Sequence, residues 1–298
     1  MTTMPVPNAR SAMQLSRDVL GLFKLRIGVL IMITALVGLV ITPGPALSLV
    51  EVVALAASVL VASASAGAFN QYFEYETDRL MARTRRRAFV TGALPHSPAW
   101  LAMIGVMLAG AVALAGLVLN PAAALYVFLG AFFYGVVYTV WLKRRTWMNI
   151  VIGGLAGSFA VLAGAAAVDP AIGALPGLLV LILFLWTPPH FWSLAIANHA
   201  DYAAAGVPML PVAIGPQRAA RVVYYNTTAL VAVSILPIFY GAGLVYLGGA
   251  LAGGLYFIAK ARRLALTPGR DTAMRAFFAS LLQLTVLLIA ASIDAVMR

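Results

Sequence analysis

The sequence has no cysteine, and among its 298 residues only nine are Asp or Glu. Without cysteine a disulfide scaffold is excluded. Charged residues make up 10% of the chain against about 25% in an ordinary soluble domain, and apolar residues 63% against about 45–50%. A soluble fold this apolar would expose large adhesive patches, so that class is excluded, as is intrinsic disorder. What is present instead is 20 Lys and Arg, for a formal net charge of +11. On a soluble protein that excess would suggest nucleic acid. Here the basic residues fall in short clusters between apolar runs, which points to orientation in a lipid bilayer and to anionic ligands, with no nucleic-acid partner. The fold class expected is all-α, a polytopic bundle of membrane helices.

A membrane helix needs about 20 mostly apolar residues. Nine runs qualify: 20–42, 48–72, 98–119, 121–142, 148–168, 172–198, 219–240, 242–260 and 273–295. None alternates polar with apolar residues as a barrel strand does. Run 20–42 is too long for the core of a secretory signal and reads as a retained first span behind a cytoplasmic segment, 1–19. Residues 20–298 then form one integral-membrane domain. Glycines around Gly241 and Gly248 blur the break between the seventh and eighth spans.

The basic residues orient these spans. Arg10, Arg17, Lys24 and Arg26 precede or open the first, and Arg79, Arg83, Arg85, Arg86 and Arg87 follow the second. Lys143, Arg144, Arg145, Arg218, Arg221, Lys260, Arg262, Arg263, Arg270 and Arg275 occupy the later gaps of the same set. The alternate gaps hold none, and Arg298 alone falls on their side. The expected topology has the N-terminus cytoplasmic and the C-terminus outside, in a bacterial inner membrane.

With so few acids, their positions carry information. Asp18, Glu51, Asp169, Asp271 and Asp294 lie near span ends and read as solvated caps. Glu74 and Asp78 follow Asn70 at four-residue intervals, so on a helix the three share one face, while Glu76 points elsewhere. A carboxylate near the membrane core costs about 2.5–3.5 kcal/mol on insertion scales, so such a stripe wants a common cation. Mg²⁺ suits it, because it takes one or two carboxylates and completes its shell with water and phosphate oxygens. The nearby Lys24, Arg26, Arg83, Arg87, Lys143 and Arg144 complete a diphosphate site.

A shift of 123 residues carries Asp78 and Gly92 onto Asp201 and Gly215, and spans one to four onto five to eight. This suggests a weak parallel repeat of four-helix halves, 20–142 and 143–260, with a final helix at 273–295. Glu74 and Asn70 land on Ala197 and Ser193, so the second motif is incomplete, with Asn198 the nearest amide to Asp201. Pro188 and Pro189 are expected to break or kink the sixth span and open backbone carbonyls to a cavity beside His190. His96 and His199 read as surface residues near the charged end.

These residues resemble the intramembrane prenyltransferases that move an isoprenoid chain from a diphosphate to an aromatic acceptor. Their mark is an acidic N-x-x-x-D-x-x-x-D stretch on the second helix and another after the sixth. Within that superfamily the chain is similar to the protoheme farnesyltransferase (heme O synthase) branch. The likeness rests on Asn70–Glu74–Asp78 with Met81, Arg83, Thr84 and Gly92, on KRRTWMNIVIGG at 143–154, on WTPPHFW at 186–192, and on DYAAAGVPMLPVAIG at 201–215. Glu74 stands where the superfamily usually has Asp, and Ala88 where the family usually has proline.

The resemblance implies farnesyl diphosphate and protoheme (heme B) as substrates, heme O and diphosphate as products, Mg²⁺ as cofactor, and a heme A synthase or terminal oxidase as onward acceptor. Asn70, Glu74, Asp78 and Asp201 would be the metal and catalytic residues, and His190 and Trp192 would meet the heme. His190 is read either as an iron ligand or as a propionate partner. Tyr75, Tyr134, Tyr138, Phe191 and Trp192 could face the allylic cation. Two rival readings remain: a prenyltransferase acting on another acceptor such as a quinone precursor, and a secondary transporter. A transporter's carboxylates would lie nearer the bilayer midplane.

Overall fold

The computed structural model describes residues 12–298; Arg10 and the rest of 1–11 lie outside the described residues. Among the described residues there is no strand, and eight helices are long and apolar enough to cross a membrane. Two more helices, Ala12–Leu22 and Leu25–Ile41, meet at about 45° and are long and apolar enough for a ninth span only when taken together. The expected run 20–42 is therefore broken near its start. Lys24 sits at the break in the left-handed backbone region, φ 49° and ψ 41°.

The remaining spans follow the apolar runs closely: Leu49–Phe73, Ala99–Val118, Pro121–Leu142, Asn149–Val168, Ala174–Ala197, Pro216–Tyr240, Leu244–Leu266 and Arg270–Met297. Several ends carry legible signals. Ser48 and Glu51 form a reciprocal capping box, so Glu51 is the cap expected of it. Asn120 caps Pro121–Phe132, with Pro at the first helical position, and also donates to the Ala166 carbonyl at 2.7 Å. The blurred boundary falls at Gly241, whose φ of 97° needs no Cβ.

Lipid tails are as apolar as leucine, so close packing rather than water exclusion holds such helices together. Small residues allow it. The Leu25–Ile41 helix crosses Leu155–Val168 so closely that a methyl group at Gly164 would collide with the Ala35 carbonyl. An alanine-rich layer (Ala35, Ala62, Ala111, Ala163) fills the first half of the bundle. A larger layer around Ile182, Leu230, Phe257 and Leu287 fills the second.

Two expectations are corrected. The Ala174–Ala197 helix runs unbroken through Pro188 and Pro189, both buried. The neighbouring helices enclose the prolines, and hydroxyls bond the backbone on either side: Thr187 donates to the Leu183 carbonyl at 2.9 Å and Ser193 to the Pro189 carbonyl at 2.7 Å. Asp294 is not solvated but 4% exposed, and it caps a different helix. Its two oxygens accept from the Gly243 and Tyr246 amides at 2.8 and 3.2 Å, at the start of Leu244–Leu266. Arg298 closes this corner, 3.2 Å from Asp294 and 2.6 Å from the Gly241 carbonyl.

Candidate active site

Asn70, Glu74 and Asp78 stand where the Leu49–Phe73 helix gives way to the short turn Tyr75–Asp78. Glu74 leaves helical geometry, at φ −96° and ψ 7°. The four-residue ladder nevertheless continues, from the Glu74 amide to the Asn70 carbonyl (3.1 Å) and from the Asp78 amide to the Glu74 carbonyl (2.9 Å). The expected stripe therefore survives the helix end, and all three side chains are buried.

Each member of the stripe is held by a cation from a different segment. Lys24 donates to Asn70 Oδ1 at 2.7 Å, Lys143 pairs with Glu74 Oε2, and Arg87 meets Asp78 at 2.5 Å. Within the stripe, Asn70 Nδ2 donates to Glu74 Oε2 at 3.1 Å. Glu74 Oε1 is enclosed and has no partner among the described residues. A buried carboxylate oxygen without a donor is costly. That orphan acceptor, 1% exposed and beside Asp78, suits a divalent ion that needs only one or two carboxylates.

Lys143 and two tyrosines owe their positions to a π-helix, Phe133–Leu142, which the sequence reading did not foresee. Such wide turns are frequent at functional sites. Tyr134 and Tyr138 stack on one of its faces with centroids 5.7 Å apart. Lys24 lies 3.1 Å from the Tyr134 hydroxyl, and Lys143 5.9 Å from the centre of the Tyr138 ring. Gly153 abuts Tyr138, and a Cβ there would overlap the ring. Thr139 accepts from Asn70 Nδ2 at 3.1 Å and donates to the Tyr134 carbonyl at 2.8 Å. Asn149, fully buried, donates to the Lys143 carbonyl at 3.0 Å. Thr139 and Asn149 were missed; the available signals were a polar residue one turn before Lys143 and an amide in the KRRTWMN segment.

The other expected residues divide. Arg83 is exposed and near the Tyr202 hydroxyl, and burial pushes that phenol above its ordinary range so that it stays neutral. Arg26 and Arg144 are exposed and make no ion pair among the described residues. Asp201 is half-buried, and its carboxylate has no partner there either. Among the described residues, no three His, Asp or Glu side chains lie close enough to hold one metal ion, so Asp201 is not part of a single acidic cluster with Glu74 and Asp78. Asn198 turns its amide to the Leu194 carbonyl at 2.8 Å. Tyr75 stacks on His96 instead of on the stripe, with centroids 4.1 Å apart. His190 and Trp192 are buried on the Ala174–Ala197 helix, and Trp192 Nε1 has no partner among the described residues.

Three cations, Lys24, Arg87 and Lys143, thus hold an amide and two carboxylates beside the stacked phenol rings. That is an anion site with an apolar floor. Residues 31–282 match the UbiA prenyltransferase family. The chain belongs to this family. Among UbiA prenyltransferases it is 53% identical to protoheme IX farnesyltransferase 2 of Paramagnetospirillum magneticum, over 92% of this chain and 95% of that one. It is 42% identical to the protoheme IX farnesyltransferase of Parvibaculum lavamentivorans, over 82% of this chain and 76% of that one. The fold is that of a UbiA homologue from Archaeoglobus fulgidus bound to DMAPP and Mg²⁺. The TM-score is 0.70 at 18% identity, covering 91% of this chain and 99% of the other.

Proposed function

We propose that this UbiA-family prenyltransferase transfers a farnesyl group from farnesyl diphosphate to a vinyl group of protoheme, giving heme O and diphosphate. The observation that carries this reading is near-full-length similarity to protoheme IX farnesyltransferases, joined to a carboxylate–amide stripe wrapped by basic side chains. Glu74 and Asp78, steadied by Asn70, would hold Mg²⁺. When bound, the ion supplies charge neutralisation at the diphosphate oxygens. Asp201 serves the same ligand from the other half of the bundle.

As the allylic C–O bond breaks, its electron pair leaves with the diphosphate. Lys24, Arg83, Arg87 and Lys143 stabilise that growing charge, with Arg26 and Arg144 as outer attraction for the incoming anion. The faces of Tyr134 and Tyr138 stabilise the allylic cation. The vinyl carbon attacks it, and the positive charge left beside the porphyrin is quenched by water, which loses a proton to complete the hydroxyl. The membrane bundle keeps other water away until then. His190 and Trp192 border the heme.

The basic gaps support a cytoplasmic active site in a bacterial inner membrane, with a heme A synthase or terminal oxidase as recipient of the product. The test is to incubate the reconstituted protein with farnesyl diphosphate, Mg²⁺ and heme. The expected result is a heme whose mass has gained a farnesyl group and a hydroxyl. Prenylation of a quinone precursor with no change in heme would overturn the reading.

A further inference from the structure

His190 was expected to meet heme either through its iron or through a propionate, and its surroundings distinguish the two. The imidazole is clamped on three sides. Trp186 stacks on one face with centroids 4.2 Å apart, and Phe277 on the other at 4.6 Å. His190 Nδ1 lies 2.7 Å from the Ser280 hydroxyl oxygen, on the neighbouring Arg270–Met297 helix. Ser280 also fixes Trp186, whose indole N–H reaches the Ser280 carbonyl at 2.9 Å.

The hydroxyl has one hydrogen, and it donates to the Phe277 carbonyl at 2.6 Å. With its hydrogen on the Phe277 carbonyl the hydroxyl accepts from His190, and in that arrangement Nδ1 carries the imidazole hydrogen and Nε2 keeps a bare lone pair. Nε2, on the opposite edge of the ring, has no hydrogen-bond partner among the described residues, and His190 keeps 7% of its surface exposed. A propionate would need a donor there. A lone pair suits a metal.

We infer that Ser280 is a positioning residue that holds His190 with Nε2 free to ligate the iron of the acceptor porphyrin. Iron-bound histidines are commonly oriented by a partner on their other ring nitrogen. The depth also fits. His190 precedes the end of its helix at Ala197 by seven residues, about two turns or about 10 Å. This inference rests on the proposed heme acceptor.

The experiment is an optical titration of the full chain in detergent, without farnesyl diphosphate, using iron protoporphyrin and metal-free protoporphyrin as separate probes. The wild type should shift the heme absorption band, His190→Ala should lose the shift, and imidazole should restore it in His190→Gly. Ser280→Ala should weaken iron-porphyrin binding about ten-fold and leave metal-free porphyrin binding unchanged, while Ser280→Thr retains both. An unaltered heme spectrum in His190→Ala overturns the ligand assignment. Equal loss of both porphyrins in a folded Ser280→Ala protein overturns it too, since that is the mark of packing alone. If the wild type bound neither porphyrin, the heme-acceptor reading itself would fail.

Discussion

The two ends of the bundle each bury a carboxylate beside a basic side chain, yet they do different things with it. Asp294, at the end opposite the stripe, has both oxygens occupied by two amides and Arg298. Glu74 gives one oxygen to Asn70 and Lys143 and leaves the other without any donor. Burial is nearly equal, so burial does not separate a structural acid from a functional one. Saturation does. A carboxylate whose acceptor capacity is spent is a helix cap, whereas one held on a single side is an open socket for a cation.

This contrast is sharpest in activity. Glu74→Ala and Asp78→Ala should each lower turnover by about 100-fold or more while the protein still inserts and folds, as single-turnover assays and circular dichroism would show. Full activity of Asp78→Ala at low Mg²⁺ would break the distinction. Lys143→Met removes the charge but leaves the helix end intact, and should cost about ten- to a hundred-fold in kcat/KM for farnesyl diphosphate.

At the other end the effect should fall on stability alone. Asp294→Ala should destabilise the folded bundle by about 2 kcal/mol in detergent unfolding, through a lost cap at a helix N-terminus, with turnover preserved below the unfolding transition. Loss of turnover in a folded Asp294→Ala protein would mean that the two ends are coupled. Smaller still is Thr139→Val, which keeps shape and removes the hydroxyl that Asn70 uses; a fall of about ten-fold in metal affinity with an unchanged fold is expected, measured by Mn²⁺ titration. Arg262→Ala, near the end of the Leu244–Leu266 helix and in no contact with the stripe, should leave kinetics unchanged.

The spans were legible because a bilayer demands long apolar runs, and the Asn70–Glu74–Asp78 stripe because four-residue spacing is a local property of a helix. Which cations serve the stripe was not. Lys24 and Arg26, or Lys143 and Arg144, are equivalent as charges in the sequence, but one of each pair reaches the stripe and the other is exposed. A step of one or two residues turns a side chain to another face, and only the bundle decides which face is inward.

By itself, then, the sequence determined the class, the number and approximate ends of the spans, the charge asymmetry and the acidic stripe. These follow from composition and from interactions within a few residues of one another. The tertiary structure decided the rest. It set the π-helix that ends just before Lys143 and the continuity of the helix through Pro188 and Pro189. It also set the partner of Asp294, 48 to 51 residues away along the chain, and the Ser280 contact that sets His190, 90 residues away. Each depends on which helices lie side by side, and no local pattern encodes that adjacency because it arises from the close packing of the whole bundle.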